Sequence, residues 1–152
     1  MDNAGSLSGR YRRVFDQLRE VLTETRSRVA RLSTAAAVLH GKMPHFSWTG
    51  FYLLEDGDLV VGPYQGPLAC PVLRRAEGVC WAAVNGRRTI LVPDVRRFPG
   101  HIACDARARS EIAIPLQGPE GRVWGVLDVD SHRLSAFSEA DRAGLERIAG
   151  LL

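Results

Sequence analysis

The stretch Phe51-Tyr52-Leu53-Leu54-Glu55-Asp56-Gly57-Asp58-Leu59-Val60-Val61 decides the fold. Two apolar runs flank a central Asp-Gly, and that dipeptide is a two-residue hairpin signal because both turn positions need a positive φ. A hairpin makes its strands antiparallel neighbours. Downstream, Thr89–Val92 and Glu111–Leu116 read as strands, and Val123–Val129 as another, entered through the turn Gly118-Pro119-Glu120-Gly121. Upstream, Val14, Phe15, Leu18, Val21 and Leu22 recur at spacings of three and four, which predicts an amphipathic helix over Tyr11–Leu22. Thr25–His40 carries the same pattern in Val29, Leu32, Ala36 and Leu39 and ends before Gly41. Ser138-Glu139-Ala140-Asp141 is a capping sequence for a last helix carrying Leu145, Ile148 and Leu151. Hairpins between flanking helices give an α+β class: a central antiparallel sheet with N- and C-terminal helices packed on one face.

The 152 residues suit one domain over 1–152, with residues 1–10 expected to be a flexible N-terminus. Gly62 to Pro99 is rich in glycine, proline and short elements, and long irregular stretches in compact domains tend to carry function. The N-terminus lacks the apolar core of a secretory signal. No apolar run approaches the ~20 residues of a bilayer span. A cytoplasmic location with reduced cysteines is therefore expected.

The formal charge is +3, and Lys42 is the single lysine, so the basic character is arginine. Arginine pairs at Arg12-Arg13, Arg74-Arg75, Arg87-Arg88 and Arg96-Arg97 are scattered, without the stripe and interleaved aromatics of a nucleic-acid binder. They read as solvated surface, and neither a nucleic acid nor a membrane is expected as partner.

The three cysteines, Cys70, Cys80 and Cys104, are an odd number, which argues against a fully paired disulfide scaffold. No Cys-x-x-Cys occurs and the histidines lack zinc-ligand spacing, so no metal is expected. Cys80 opens a helix-like run with an apolar flank, where a cysteine is as often a small buried hydrophobe as a reagent. Cys70 and Cys104 stand in glycine- and proline-rich loops where a thiol can be reached, with His101 and Arg107 as the nearby cations that could favour a thiolate. Among the acids, Asp128 and Asp130 are two apart and face one side of a strand. Such a pair holds a cation, keeps a proton, or lies on an exposed edge. The aromatics Trp48 and Tyr52 fit core packing as readily as a ligand wall.

Together with the Cys70 segment Gly62-Pro63-Tyr64-Gln65-Gly66-Pro67-Leu68-Ala69-Cys70, the runs Ser47-Trp48-Thr49-Gly50-Phe51-Tyr52-Leu53, Phe98-Pro99-Gly100-His101-Ile102-Ala103-Cys104-Asp105, Ser110-Glu111-Ile112 and Leu127-Asp128-Val129-Asp130-Ser131 resemble the free methionine-(R)-sulfoxide reductases, which are stand-alone GAF domains. The likeness runs in order from about Tyr11 to the C-terminus. It implies a GAF-like fold with a loop-rich active-site side. It also implies Cys104 as nucleophile, Cys70 as resolving cysteine and Cys80 as an auxiliary one. Trp48, Tyr52, Glu111, Asp128 and Asp130 would line the site of the free amino acid. No bound cofactor is implied; electrons would come from thioredoxin and, through its reductase, from NADPH. A homodimer is a family-level expectation. Trp81 stands where the family usually has glycine, a departure that bears on the loop between Cys70 and Cys80. The alternatives are a non-catalytic GAF ligand sensor, normally fused to an output module for which 152 residues leave no span, and a redox-sensing thiol protein without turnover.

Overall fold

The computed structural model describes residues 3–101 and 104–152; Ile102 and Ala103 of the His-Ile-Ala-Cys-Asp run lie outside the described residues. The elements in chain order are α1 (Asn3–Val21), α2 (Arg28–Lys42), β1 (Trp48–Glu55), β2 (Asp58–Gln65), β3 (Val72–Leu73), α3 (Gly78–Gly86), β4 (Ile90–Val92), β5 (Ser110–Gln117), β6 (Val123–Ser131) and α4 (Glu139–Ala149). The expected α+β architecture is present: a six-stranded antiparallel sheet in the order β3-β2-β1-β6-β5-β4.

The deciding hairpin closes as its residues dictate. Glu55 pairs with Asp58, and Asp56 and Gly57 take φ of 49° and 81°, the doubly positive turn that matches the right-handed strand twist. Its second strand runs past the expected Val61 to Gln65. The register shifts between Gly50 and Tyr52, so that Gly62 and Pro63 share the space opposite Phe51. A bulge tolerates a proline that has no N–H to give the ladder.

Alternation along the strands divides the molecule into two layers. Phe51, Ile112, Ile114, Leu116, Leu127 and Val129 point one way and pack on Leu18, Leu32, Leu39, Leu145 and Ile148 of α1, α2 and α4. Trp48, Tyr52, Ala113 and Val126 point the other way, against α3 and the loops around it. The terminal helices therefore share one face, as expected, and α3 covers part of the opposite, loop-rich face.

Two helix boundaries differ from the periodicity. The first helix already includes residues 3–10, the segment expected to be a flexible tail. The second begins at Arg28 rather than Thr25, because the Ser27 hydroxyl accepts from the Ala30 N–H and so caps it there. At α4 the capping box is complete: the Ser138 hydroxyl and N–H both meet the Asp141 carboxylate. The same carboxylate accepts from Tyr11 Oη at 2.8 Å and meets His45 Nε2 at 2.7 Å. Burial pushes the Asp141 carboxyl up, but its bonds to His45, the Ser138 N–H and Tyr11 outweigh that and hold it below its usual range, and one side chain ties α1, the approach to β1 and α4 together.

The contact between α1 and α4 depends on Gly144, where an added Cβ would stand 2.3 Å from Cγ of the Tyr11 ring. In a helix interior Gly→Ala ordinarily gains about 1 kcal/mol. Here Gly144→Ala is expected to lower stability by about 2 kcal/mol through overpacking. A urea titration checks this, and an unchanged or raised midpoint would mean the ring moves aside freely.

Candidate active site

The carboxylates come to one place because of strand register. Glu111 on β5 pairs with Asp130 on β6, and Asp130 pairs with Trp48 on β1. One row further, Ala113, Asp128 and Gly50 align in the same way. Asp128 thus lies between the two smallest side chains available. Because β6 is central in the sheet, the exposed-edge reading of Asp128 and Asp130 is excluded. Asp128 is 5% exposed and Glu111 6%.

Trp48 roofs this floor. Its indole stacks on Tyr52 (centroids 5.9 Å apart, planes at 22°) and on Tyr64 (5.2 Å, 20°). Gly50 makes the room: a Cβ there would stand 2.7 Å from Cη2 of Trp48 and 2.3 Å from Cβ of Tyr64. The polar ends of both wall aromatics are used. Trp48 Nε1 donates to the Pro67 carbonyl at 3.1 Å, and Tyr52 Oη donates to the Cys70 carbonyl at 3.0 Å. The aromatic wall therefore also holds the loop that carries Cys70.

That loop is joined covalently to the segment before β5. Cys70 and Cys104 form a disulfide with Cα atoms 5.5 Å apart, within the span such a bond allows. Asp105 anchors the Cys104 side: its carboxylate accepts from the Arg107 N–H (3.0 Å) and meets His132 Nε2, just beyond β6, at 3.0 Å. Burial pushes this carboxyl up, but its bonds to Arg107 and His132 outweigh that and hold it low and ionised.

Cys104, Trp48, Tyr52, Glu111, Asp128 and Asp130 line a single cleft together with Cys80 and His101; its empty space is about 550 Å³, the open mouth included. Cys70 reaches the cleft through its bond to Cys104. The fold thus brings together the three cysteines, the three acids and the two wall aromatics singled out in the sequence. Of the two local cations, His101 turns inward, Nε2 lying 3.6 Å from Glu111 Oε2, and burial holds its imidazole below the usual value, with Asp128 acting in the opposite sense. Arg107 points outward and pairs with Asp105. Tyr64, Gly50 and the neighbour relation of His101 to Glu111 were not among the expected site features; they depend on cross-strand register and loop return, which leave no local signature.

The electrostatics follow from crowding acids on a dry floor. Burial, reinforced by Asp130, pushes the Glu111 carboxyl up to about 8, against a lowering bond with Asp128. Burial and then Glu111 raise Asp128 well above the carboxylate range, and burial, Asp128 and Asp105 do the same to Asp130. Asp128 Oδ1 is buried without a hydrogen-bond partner, an orphan that a bound donor would satisfy. The floor therefore retains protons into the neutral range and is primed for a cationic or hydrogen-bond-donating ligand.

Cys80 is buried and free, with Sγ 4.0 Å from Glu111 Oε1. Burial first, then Asp128 and Glu111, keep its thiol protonated, which makes it a poor nucleophile. Trp81 is buried and donates from Nε1 to the Leu73 carbonyl at 3.3 Å, bracing α3 against β3. Cys80, Glu111 and Asp128 offer donor atoms within 4.8 Å of one another. Three donors fall one short of the closed set of four that structural zinc takes.

A Glu111 proton held to about pH 8 in the folded chain, against 4.5 for an ordinary glutamate, makes folding stability fall as pH rises between those values and level off above. Glu111→Gln cannot ionise. It is expected to match the wild type at low pH and to exceed it by roughly 4 kcal/mol near pH 8. Urea midpoints across that range check this; a constant gap would show that Glu111 ionises freely.

Residues 16–152 match the GAF domain family model. The chain is 42% identical to "GAF domain-containing protein A" of Dictyostelium discoideum, over 97% of this chain and 93% of that one. It is 41% identical to free methionine-R-sulfoxide reductase of Escherichia coli K12, over 82% of this chain and 74% of that one. The crystal structure of free methionine-R-sulfoxide reductase from Neisseria meningitidis in complex with its substrate superposes with a TM-score of 0.89 at 41% identity, covering 93% of this chain and 84% of that one. With cysteines, acids and aromatics gathered in one cleft of a GAF fold, this chain belongs to the free methionine-(R)-sulfoxide reductases.

Proposed function

We propose that this protein reduces free L-methionine (R)-S-oxide to L-methionine. The observation that carries this reading is the Cys70–Cys104 disulfide at a cleft floored by Glu111, Asp128 and Asp130. A two-electron sulfur couple and a set of proton-retaining carboxyls are the two halves of sulfoxide reduction, and here they face the same space.

The reduced enzyme begins the cycle. The Cys104 thiolate attacks the sulfoxide sulfur while a neutral carboxylic acid of the floor gives the oxygen its proton. Collapse releases methionine and leaves Cys104 as a sulfenic acid. The Cys70 thiol displaces the sulfenic hydroxyl as water and forms the disulfide. An external dithiol such as thioredoxin then returns two electrons, drawn ultimately from NADPH. The balance is sulfoxide plus two thiols giving thioether, disulfide and water. No bound cofactor takes part.

The floor also accounts for a free amino acid as substrate. An α-ammonium group would satisfy the orphaned Asp128 Oδ1 and share the negative charge of its neighbours. A methionine inside a polypeptide has no ammonium to offer. The Trp48 face supplies a surface for the methyl-sulfur end. The acids have a double role: ionised members hold the ammonium, and a protonated member serves the oxygen.

Methionine release from the free R-sulfoxide, with thioredoxin, its reductase and NADPH, tests this directly. Cys104→Ser is expected to abolish release, and retained activity would remove Cys104 as nucleophile. Cys70→Ser is expected to release about one methionine per chain and then stall. Repeated rapid turnover in that variant would instead make Cys80 the resolving thiol. A ligand sensor would bind the sulfoxide without consuming it.

A further inference from the structure

Cys80 on α3, Glu111 on β5 and Asp128 on β6 bring one sulfur and two carboxylate oxygens within 4.8 Å of one another, all three residues buried. The distance from Cys80 Sγ to Glu111 Oε1 is 4.0 Å. Sequence spacing does not show this set, because its members come from three separate elements that only the fold joins. A second observation points to a ligand. Asp128 lines the cleft and is 5% exposed, and among the described residues its Oδ1 finds no hydrogen-bond partner. A buried oxygen left in this way is costly until a donor or a cation reaches it. The cleft wall supplies little of either. Among the described residues no lysine or arginine lines it, and its one basic side chain, His101, lies beside Glu111, Nε2 3.6 Å from Oε2. The sulfur decides which cation the set suits. Magnesium and calcium are held by oxygens, six or more around calcium. Zinc accepts sulfur and oxygen together, and its open sites use three protein ligands with a water or a substrate in the fourth position. Three donors are too few for a closed structural site and are the number that an open one takes. Around a tetrahedral ion such donors stand about 3.5 Å apart, so the set closes by about 1 Å on binding.

We propose that Cys80, Glu111 and Asp128 form a zinc site on the floor of the cleft, with water in the fourth position. Binding transfers no electrons. The Cys80 S–H proton and any protons on the two carboxyls pass to solvent, and lone pairs on sulfur and oxygen bond the ion. The consequence for the proposed reductase is competition, and this consequence alone rests on that reading. The ion takes the Asp128 oxygen that an α-ammonium would otherwise satisfy, and it strips the floor of the proton that the sulfoxide oxygen needs. A chain holding zinc is therefore closed to its substrate until the ion is withdrawn.

The oxidised chain tests it, because the Cys70–Cys104 bond leaves Cys80 as the single free thiol. Zinc chloride is titrated into that chain by calorimetry, and cobalt(II) chloride is titrated in parallel and followed by absorbance. The wild type is expected to take one zinc per chain, and its cobalt form to show the intense near-ultraviolet band of thiolate-to-metal charge transfer. Cys80→Ser is expected to lose that band and to bind zinc more weakly by about a hundredfold or more. Asp128→Asn is expected to keep the band and to bind zinc at least about tenfold more weakly. A wild type that takes up no zinc in stoichiometric amount overturns the proposal, and so does cobalt bound without the thiolate band, a result that needs no variant. Zinc held equally well by Cys80→Ser overturns it too, since the ion would then sit on other side chains. Neither titration contains a sulfoxide, so a failure of methionine release would count against the reductase reading alone and leave the metal result standing.

Discussion

Everything in this molecule is arranged around three carboxyl groups forced onto one dry face of a central sheet. An isolated carboxylate in such surroundings costs several kcal/mol, so the floor is stable only while it holds protons or faces a cation. What keeps the acids there is the other face of the same strands. Ile112 and Ile114 alternate with Glu111 and Ala113, and Leu127 and Val129 alternate with Asp128 and Asp130. Each apolar residue locked against the helices fixes an acid on the opposite side, since a one-residue slip would exchange the two faces. The helical layer therefore sets the chemistry of a site it never touches.

The roof and the redox couple depend on the same register. Gly50 and Ala113 leave space beside Asp128, and the indole of Trp48 fills the space over Gly50. Its ring forms the wall and its N–H holds the loop, so a single residue couples the shape of the cleft to the placement of Cys70. Tyr52 does the same from the next row. The acids stand on strands, where geometry is rigid, whereas the paired sulfurs of Cys70 and Cys104 stand on loops.

Local patterns made much of this legible in advance. The Asp56-Gly57 turn, the period-two strands and the capping box at Ser138 are properties of neighbouring residues, and all three are found where the sequence puts them. The three cysteines and three acids stood out because each residue type carries its own chemistry. What local reading could not supply was register. That β6 is central, that Pro63 sits in a bulge, and that His101 returns to Glu111 while Arg107 turns away all depend on which strand lies beside which. The two-residue strand β3 is too short for any periodicity, and the helical start of α1 lacks the apolar repeat that begins at Tyr11.

Trp81, at the position where the family resemblance leads one to expect glycine, bears on Cys80 in a specific way. The indole is buried in α3, and its bond to the Leu73 carbonyl stiffens the link between that helix and β3. Cys80 precedes it on the same helix, against Glu111 and under the same acidic field that raises Asp128. Burial, Asp128 and Glu111 keep the Cys80 thiol protonated, and a neutral thiol is a poor nucleophile. Trp81 braces the helix that carries it. Cys70 stands instead on a loop that brings its sulfur to bonding distance of Cys104. The two cysteines thus differ in their surroundings: Cys70 is bonded to Cys104, and Cys80 is a neutral, polarisable part of the floor on which the acids rest.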